Sequence, residues 1–156
     1  MLRLGGIFIF NAWDRIEENE FADTVTTALE ALFPHDPPRF LARTPHGYHD
    51  VETIERDLAA GGFTASPEIT TLASRSHAAS CDHPAIAYCE GTPLRNEIEA
   101  ARILTGERNH GRCGSYRASV CAAAPVDGKI KHMSSPSRND GRRSRQMREL
   151  QSGTQC

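Results

Sequence analysis

Two groups of side chains in this sequence have the types and spacing to do chemistry. The first is Asn11, Trp13 and Asp14, an amide, an indole and a carboxyl within four residues. The second is His46, Tyr48 and His49, two imidazoles and a phenol on a stretch punctuated by Pro34, Pro37, Pro38 and Pro45. An imidazole there can orient a substrate or take its proton, and a phenol can hold a polar substrate group. His46-x-x-His49-Asp50 also has the spacing of a metal pair, but no third ligand stands near it in sequence, and Asp50 is better placed as a helix cap. No metal is expected. The bland alternatives are that Trp13 packs a helix, Asn11 and Asp14 cap a turn, and the histidines pack a loop.

These residues need elements to position them. Gly5-Gly6 is a turn signal, and Ile7-Phe8-Ile9-Phe10 is an uninterrupted β-branched and aromatic run. Such a run predicts a strand buried on both faces of a parallel sheet. Asn11, Trp13 and Asp14 then fall at its carboxyl end, where open α/β sheets bind ligands. Phe21, Val25, Ala28, Leu29 and Leu32 recur at helical spacing, with Asn19 as the expected N-cap and Pro34 as the stop. Pro34 to Tyr48 reads as a loop that proline holds in a fixed shape. Asp50 opens a second helix with Val51, Ile54 and Leu58 on its apolar stripe, closed by Gly61-Gly62 and anchored by Phe63. Glu68 to Ala73 reads as a strand, Pro84 to Cys89 as a short helix, and Leu94 to about Ala101 as another.

At 156 residues the chain has room for one domain with a modest core. No stretch approaches the length of a membrane span, and the N-terminus lacks a secretory pattern, so the expected location is cytoplasmic. Cys81, Cys89, Cys113, Cys121 and Cys156 form no C-x-x-C pair and are expected as thiols. Charge divides the chain. Residues 1–100 carry seven arginines against sixteen acidic side chains, a net −9, and residues 101–156 carry eleven basic against four acidic, a net +7. After Ala101 the periodicity dissolves. Ser134 to Cys156 is rich in Ser, Arg, Gln and Gly and is expected to be disordered. Gly106-x-x-x-x-Gly111-Arg112-Cys113 lacks the lysine and hydroxyl of a phosphate loop. The cluster Arg138, Arg142, Arg143, Arg145 and Arg148 has no interleaved aromatic platform, which argues against base readout and for a solvated tail.

Leu2-Arg3-Leu4-Gly5-Gly6 running into Ile7–Asp14 resembles the fifth strand of class I S-adenosylmethionine-dependent methyltransferases and the turn before it, with Leu4 where that family has proline. The likeness continues through Arg15 to Phe21, Arg43 to Asp50, Ala60 to Phe63, and Ala87 to Ile98, the last being similar to the end section of a bacterial small-molecule subgroup. It implies a partial Rossmann-like α/β fold over residues 1–100, made of C-terminal strands and helices only, with residues 101–156 as a divergent tail. It implies a small-molecule methyl acceptor lined by Asn11, Trp13, Asp14, His46, Tyr48 and His49.

The first four strands of that family, with the glycine-rich loop and ribose-binding acid that hold S-adenosylmethionine, would precede Met1. The chain alone is therefore expected neither to bind the cofactor nor to transfer methyl, and a missing N-terminal half is the expected partner. In the family's sheet the last strand lies between the fifth and sixth. Pro125 to Ile130 resembles the approach to that strand, whereas Ile103 to Gly106 and Lys131 to Pro136 read as if the gene had shifted frame. The alternative function is a small non-catalytic protein whose basic tail contacts nucleic acid through phosphates.

Overall fold

The computed structural model describes residues 5–104, 120–122 and 126–138. Strand β1 (Ile7–Trp13) leads through a short 3-10 turn (Ile16–Glu18) into helix α1 (Glu20–Leu32). A one-turn helix α2 (Phe40–Arg43) follows, then α3 (Val51–Ala60), strand β2 (Thr70–His77), α4 (Asp82–Cys89), α5 (Leu94–Leu104) and strand β3 (Asp127–Arg138). The fold is mixed α/β.

The three strands form one sheet in the order β1-β3-β2. β3 is antiparallel to both neighbours, so β1 and β2 point the same way. Ala12 faces Met133, and Met133 faces Thr71. Only the last five residues of the middle strand, 134–138, come from the stretch whose composition predicted disorder. Residues 127–134 pair with β2 and residues 132–138 with β1, and this pairing offsets the ordering entropy that isolated polar sequence cannot. The expectation for 139–156 lies outside the described residues.

Helix termini follow local chemistry. Asp50 caps α3, its carboxylate accepting the Thr53 N–H at 2.9 Å. At the other end Gly62 has φ +93°, and the Gly62 and Phe63 N–H groups bond the carbonyls of Ala59 and Leu58. This is the Schellman closure that a left-handed glycine permits. Asn19 precedes α1 but makes no cap bond, because its amide is used elsewhere. α1 buries Phe21, Ala22, Val25 and Leu29 and stops where Pro34 disfavours a helical Phe33.

Two apolar clusters hold these elements. Ala22, Val25 and Leu29 of α1 pack with Leu41, Cys89, Leu94, Ile98 and Val120. Ile54 and Leu58 of α3 pack with Met133, Phe10, Ala12, Phe63 and Ile69 on one face of the sheet. The opposite face presents Ile7, Ile9, Trp13 and Leu72 to solvent, with Ile9 68% exposed. β1 is therefore not buried on both faces as its sequence predicted. It pairs only with β3 among the described residues, and α3 covers one side of it.

Cys81 and Cys121 form a disulfide across 40 positions, which corrects the expectation of thiols there. Their Cα atoms lie 4.8 Å apart. Cys89 is a buried thiol, and Cys113 and Cys156 lie outside the described residues. Among the described residues no helix is long and apolar enough to cross a membrane.

Candidate functional site

The site is built where β1 leaves the sheet. The Asp14 N–H donates to the Lys131 carbonyl at 3.1 Å, and there the strand pairing ends. Side chains then take over the edge of β3. Asn19 Oδ1 accepts the Lys131 N–H at 3.1 Å, and Glu20 Oε2 accepts the Lys129 N–H at 2.7 Å. The Asn19 amide donates in turn to the carbonyls of Asp14 and Arg15 at 3.2 and 3.1 Å. The exit of β1 is fixed from both sides, as a buried backbone requires.

Asp14 is the hub. Its carboxylate receives the Arg15 N–H at 2.8 Å and the Lys131 ammonium at 3.1 Å. Its carbonyl also receives His46 Nδ1–H at 2.8 Å. A carbonyl only accepts, so Nδ1 carries the proton and the lone pair of neutral His46 sits on Nε2. His46 is 5% exposed. Burial pushes its imidazole below the ordinary value, against the pull of the Asp14 carbonyl, so the ring is neutral near pH 7. His49 Nδ1–H donates to the His46 carbonyl at 2.7 Å.

The Trp13 ring lies 6.0 Å from both His46 and His132, tilted to the first and edge-on to the second. It is 43% exposed. Gly47 follows His46 because a Cβ there would collide with the Arg43 carbonyl oxygen.

Four of the six residues singled out in the sequence therefore converge: Trp13, Asp14, His46 and, through the His46 backbone, His49. Tyr48 turns to α3 instead, its hydroxyl donating to Asp57 at 3.0 Å. Burial, reinforced by that carboxylate, raises the phenol above its ordinary value. Asn11 sits two residues before Trp13 on the open sheet face and is exposed. Asp14 is occupied by Lys131 and by turn geometry, closer to the capping alternative than to a substrate contact.

Sequence reasoning missed Lys129, Lys131, His132 and Glu18. Lys129 and Lys131 both reach Glu18, at 2.6 and 3.5 Å. The carboxyl of Glu18 is held down at about 2, chiefly by its hydrogen bond with Lys129. The one signal available was the alternation of Lys129, Lys131 and Met133, which places the two lysines on one strand face.

A separate recess of about 300 Å³ is lined by Asp36, Pro38, Arg39, Arg43 and Glu97. The Glu97 carboxylate in its lining accepts the N–H groups of Arg39 and Phe40 at 2.9 Å and the Arg43 guanidinium at 2.5 Å.

Among the described residues no group of three His, Cys, Asp or Glu side chains is placed to hold a metal. The arginines at 142, 143, 145 and 148 lie outside the described residues. Comparison with protein-family models and with curated proteins returns no match.

Proposed function

We propose that this chain is the acceptor-side part of a class I S-adenosylmethionine-dependent methyltransferase fold acting on a small molecule. The observation that supports it is the sheet. β3 lies between β1 and β2, the order that the resemblance implies for the last three strands of that family. In this reading Trp13, His46 and His49 border the acceptor, and Asp14 and Lys131 hold that border in place.

The described residues do not fit the cofactor itself. β1 runs into Asp14-Arg15 and β2 into Ala78-Ala79-Ser80, so neither strand feeds a glycine-rich helix start that would cradle S-adenosylmethionine. On this reading the cofactor is held by polypeptide other than residues 5–104 and 126–138, and no methyl transfer is expected from the chain by itself.

The test has two arms. Calorimetry of the chain with S-adenosylmethionine is expected to give no heat of binding, and tight binding overturns the division of the site. The gene's upstream DNA, translated in all frames, is expected to encode a strand followed by a glycine-rich loop. Joined to this chain, that segment is expected to bind the cofactor. A joined protein that folds without binding it sinks the reading.

A further inference from the structure

His46 ties its own loop to the end of β1 with one ring and one carbonyl. Its Nδ1–H holds the exit of β1 through the Asp14 carbonyl, its ring lies beside Trp13, and its own carbonyl holds His49. We propose that His46 is an acid-sensitive latch, whose protonation frees residues 44–50 from the carboxyl end of β1. The proposal does not depend on the methyltransferase reading.

The neutral ring suits this position and the charged ring does not. Neutral His46 satisfies the Asp14 carbonyl with Nδ1–H and leaves a lone pair on Nε2, which tolerates burial better than a charge does. Protonation adds a second N–H and a full charge to a side chain 5% exposed.

The groups around it decide whether that charge is compensated. From the end of β1, Asp14 favours it, but the Asp14 carboxylate is already bonded to the Lys131 ammonium from β3 and to the Arg15 N–H. Glu17 of the 3-10 turn favours it more weakly, and His49 on the same loop opposes it. Glu18 is engaged by Lys129 and Lys131. Desolvation outweighs these attractions, so the ring's affinity for a proton is lower folded than free.

The released segment binds more protons than the latched one as pH falls below the free imidazole value of 6.5. The latch is therefore complete above that value and weakens on acidification. Between the free and the folded pKa the open population grows with each pH unit of acidification, by at most about tenfold for one proton. His49 moves with His46 because it is bonded to the His46 backbone.

Trp13, the only tryptophan, reports the event because His46 is one of its two imidazole neighbours. The experiment is a fluorescence titration of the full chain from pH 8 to about 4.5, alongside amide exchange of residues 44–50. A single Trp13 transition with a midpoint below 6.5, together with faster exchange in residues 44–50, is expected. His46→Asn keeps a donor toward the Asp14 carbonyl and removes the titration. It should abolish both changes, whereas His132→Asn and His49→Asn should retain them. A transition that survives in His46→Asn, or disappears in His132→Asn, overturns the latch.

Nitrogen-15 correlation of the imidazoles gives a second reading that needs no variant. It should find His46 as the Nδ1–H tautomer at pH 7.5. The Nε2–H tautomer, or titration of His46 above 6.5, refutes the proposal.

Discussion

Asn19 and Lys131 are 112 positions apart, yet Asn19 Oδ1 accepts the Lys131 N–H at 3.1 Å. The same amide donates to two carbonyls at the exit of β1, so one buried side chain replaces the strand that would otherwise pair the edge of β3. Asn19→Ala leaves the Lys131 N–H unpaired and takes one of two donors from the Asp14 and Arg15 carbonyls, which keep His46 and the Glu18 N–H, and it is expected to cost about 2 kcal/mol. Asp50→Ala removes one exposed helix cap and is expected to cost about 1 kcal/mol. Urea unfolding of the two variants measures the ratio. Equal losses would mean that the Asn19 bonds together are worth no more than one exposed cap bond.

Glu18 carries the clearest electrostatic signature. Its carboxyl titrates near 2, held down first by the Lys129 hydrogen bond, with Arg15 and Lys131 adding to it. A depressed carboxyl contributes stability that is complete above its unfolded value of 4.5 and is lost as pH falls toward 2. Lys129→Met is expected to move the Glu18 titration up toward 4.5, as read by carboxyl carbon NMR. It is also expected to shrink the stability difference between pH 5 and about 2.5. A Glu18 titration unmoved in Lys129→Met would assign the shift to Lys131 and Arg15.

The same region shows how far the sequence could be read. Helices with a continuous apolar stripe were legible: Phe21, Val25 and Leu29 fix α1, and Ile54 and Leu58 fix α3 with its Asp50 cap and glycine closure. The burial of β1 was not, because Ile7 to Phe10 looks the same whether both faces are covered or one is open. β3 was invisible for the opposite reason. Lys129 to Ser135 has little apolar content, and its extended form comes from partners at residues 10–13 and 70–75, which no local window contains. Of the candidate site, the residue types were legible and their partners were not. Tyr48 and His49 are adjacent in sequence, yet one turns to Asp57 and the other to the His46 backbone.

Ser135 sits on the middle strand, opposite Phe10 and just past the last pairing with β2, and is 1% exposed. Its hydroxyl has no hydrogen-bond partner among the described residues. A buried polar group without a partner costs free energy that an apolar group of similar size does not. Ser135→Ala is expected to stabilise the chain by about 1 kcal/mol. A fall in melting temperature instead would show that the hydroxyl is bonded in solution.

The Cys81–Cys121 disulfide joins the start of α4 to the short segment 120–122, whose Val120 is fully buried against α1 and α5. Cys121 follows Val120 directly, so the crosslink ties down the chain next to this buried side chain. A crosslink across 40 positions removes unfolded-state freedom worth about 4 kcal/mol in the chain-entropy model. Reduction by dithiothreitol is therefore expected to lower stability by up to that amount and to speed amide exchange at Val120, while α3 keeps its protection because it packs in the other cluster. Cys121→Ser should reproduce the loss and make the chain indifferent to reductant. If Cys121→Ser matches the parent in stability and exchange, the crosslink does not hold Val120, and the apolar packing of α1 and α5 does so unaided.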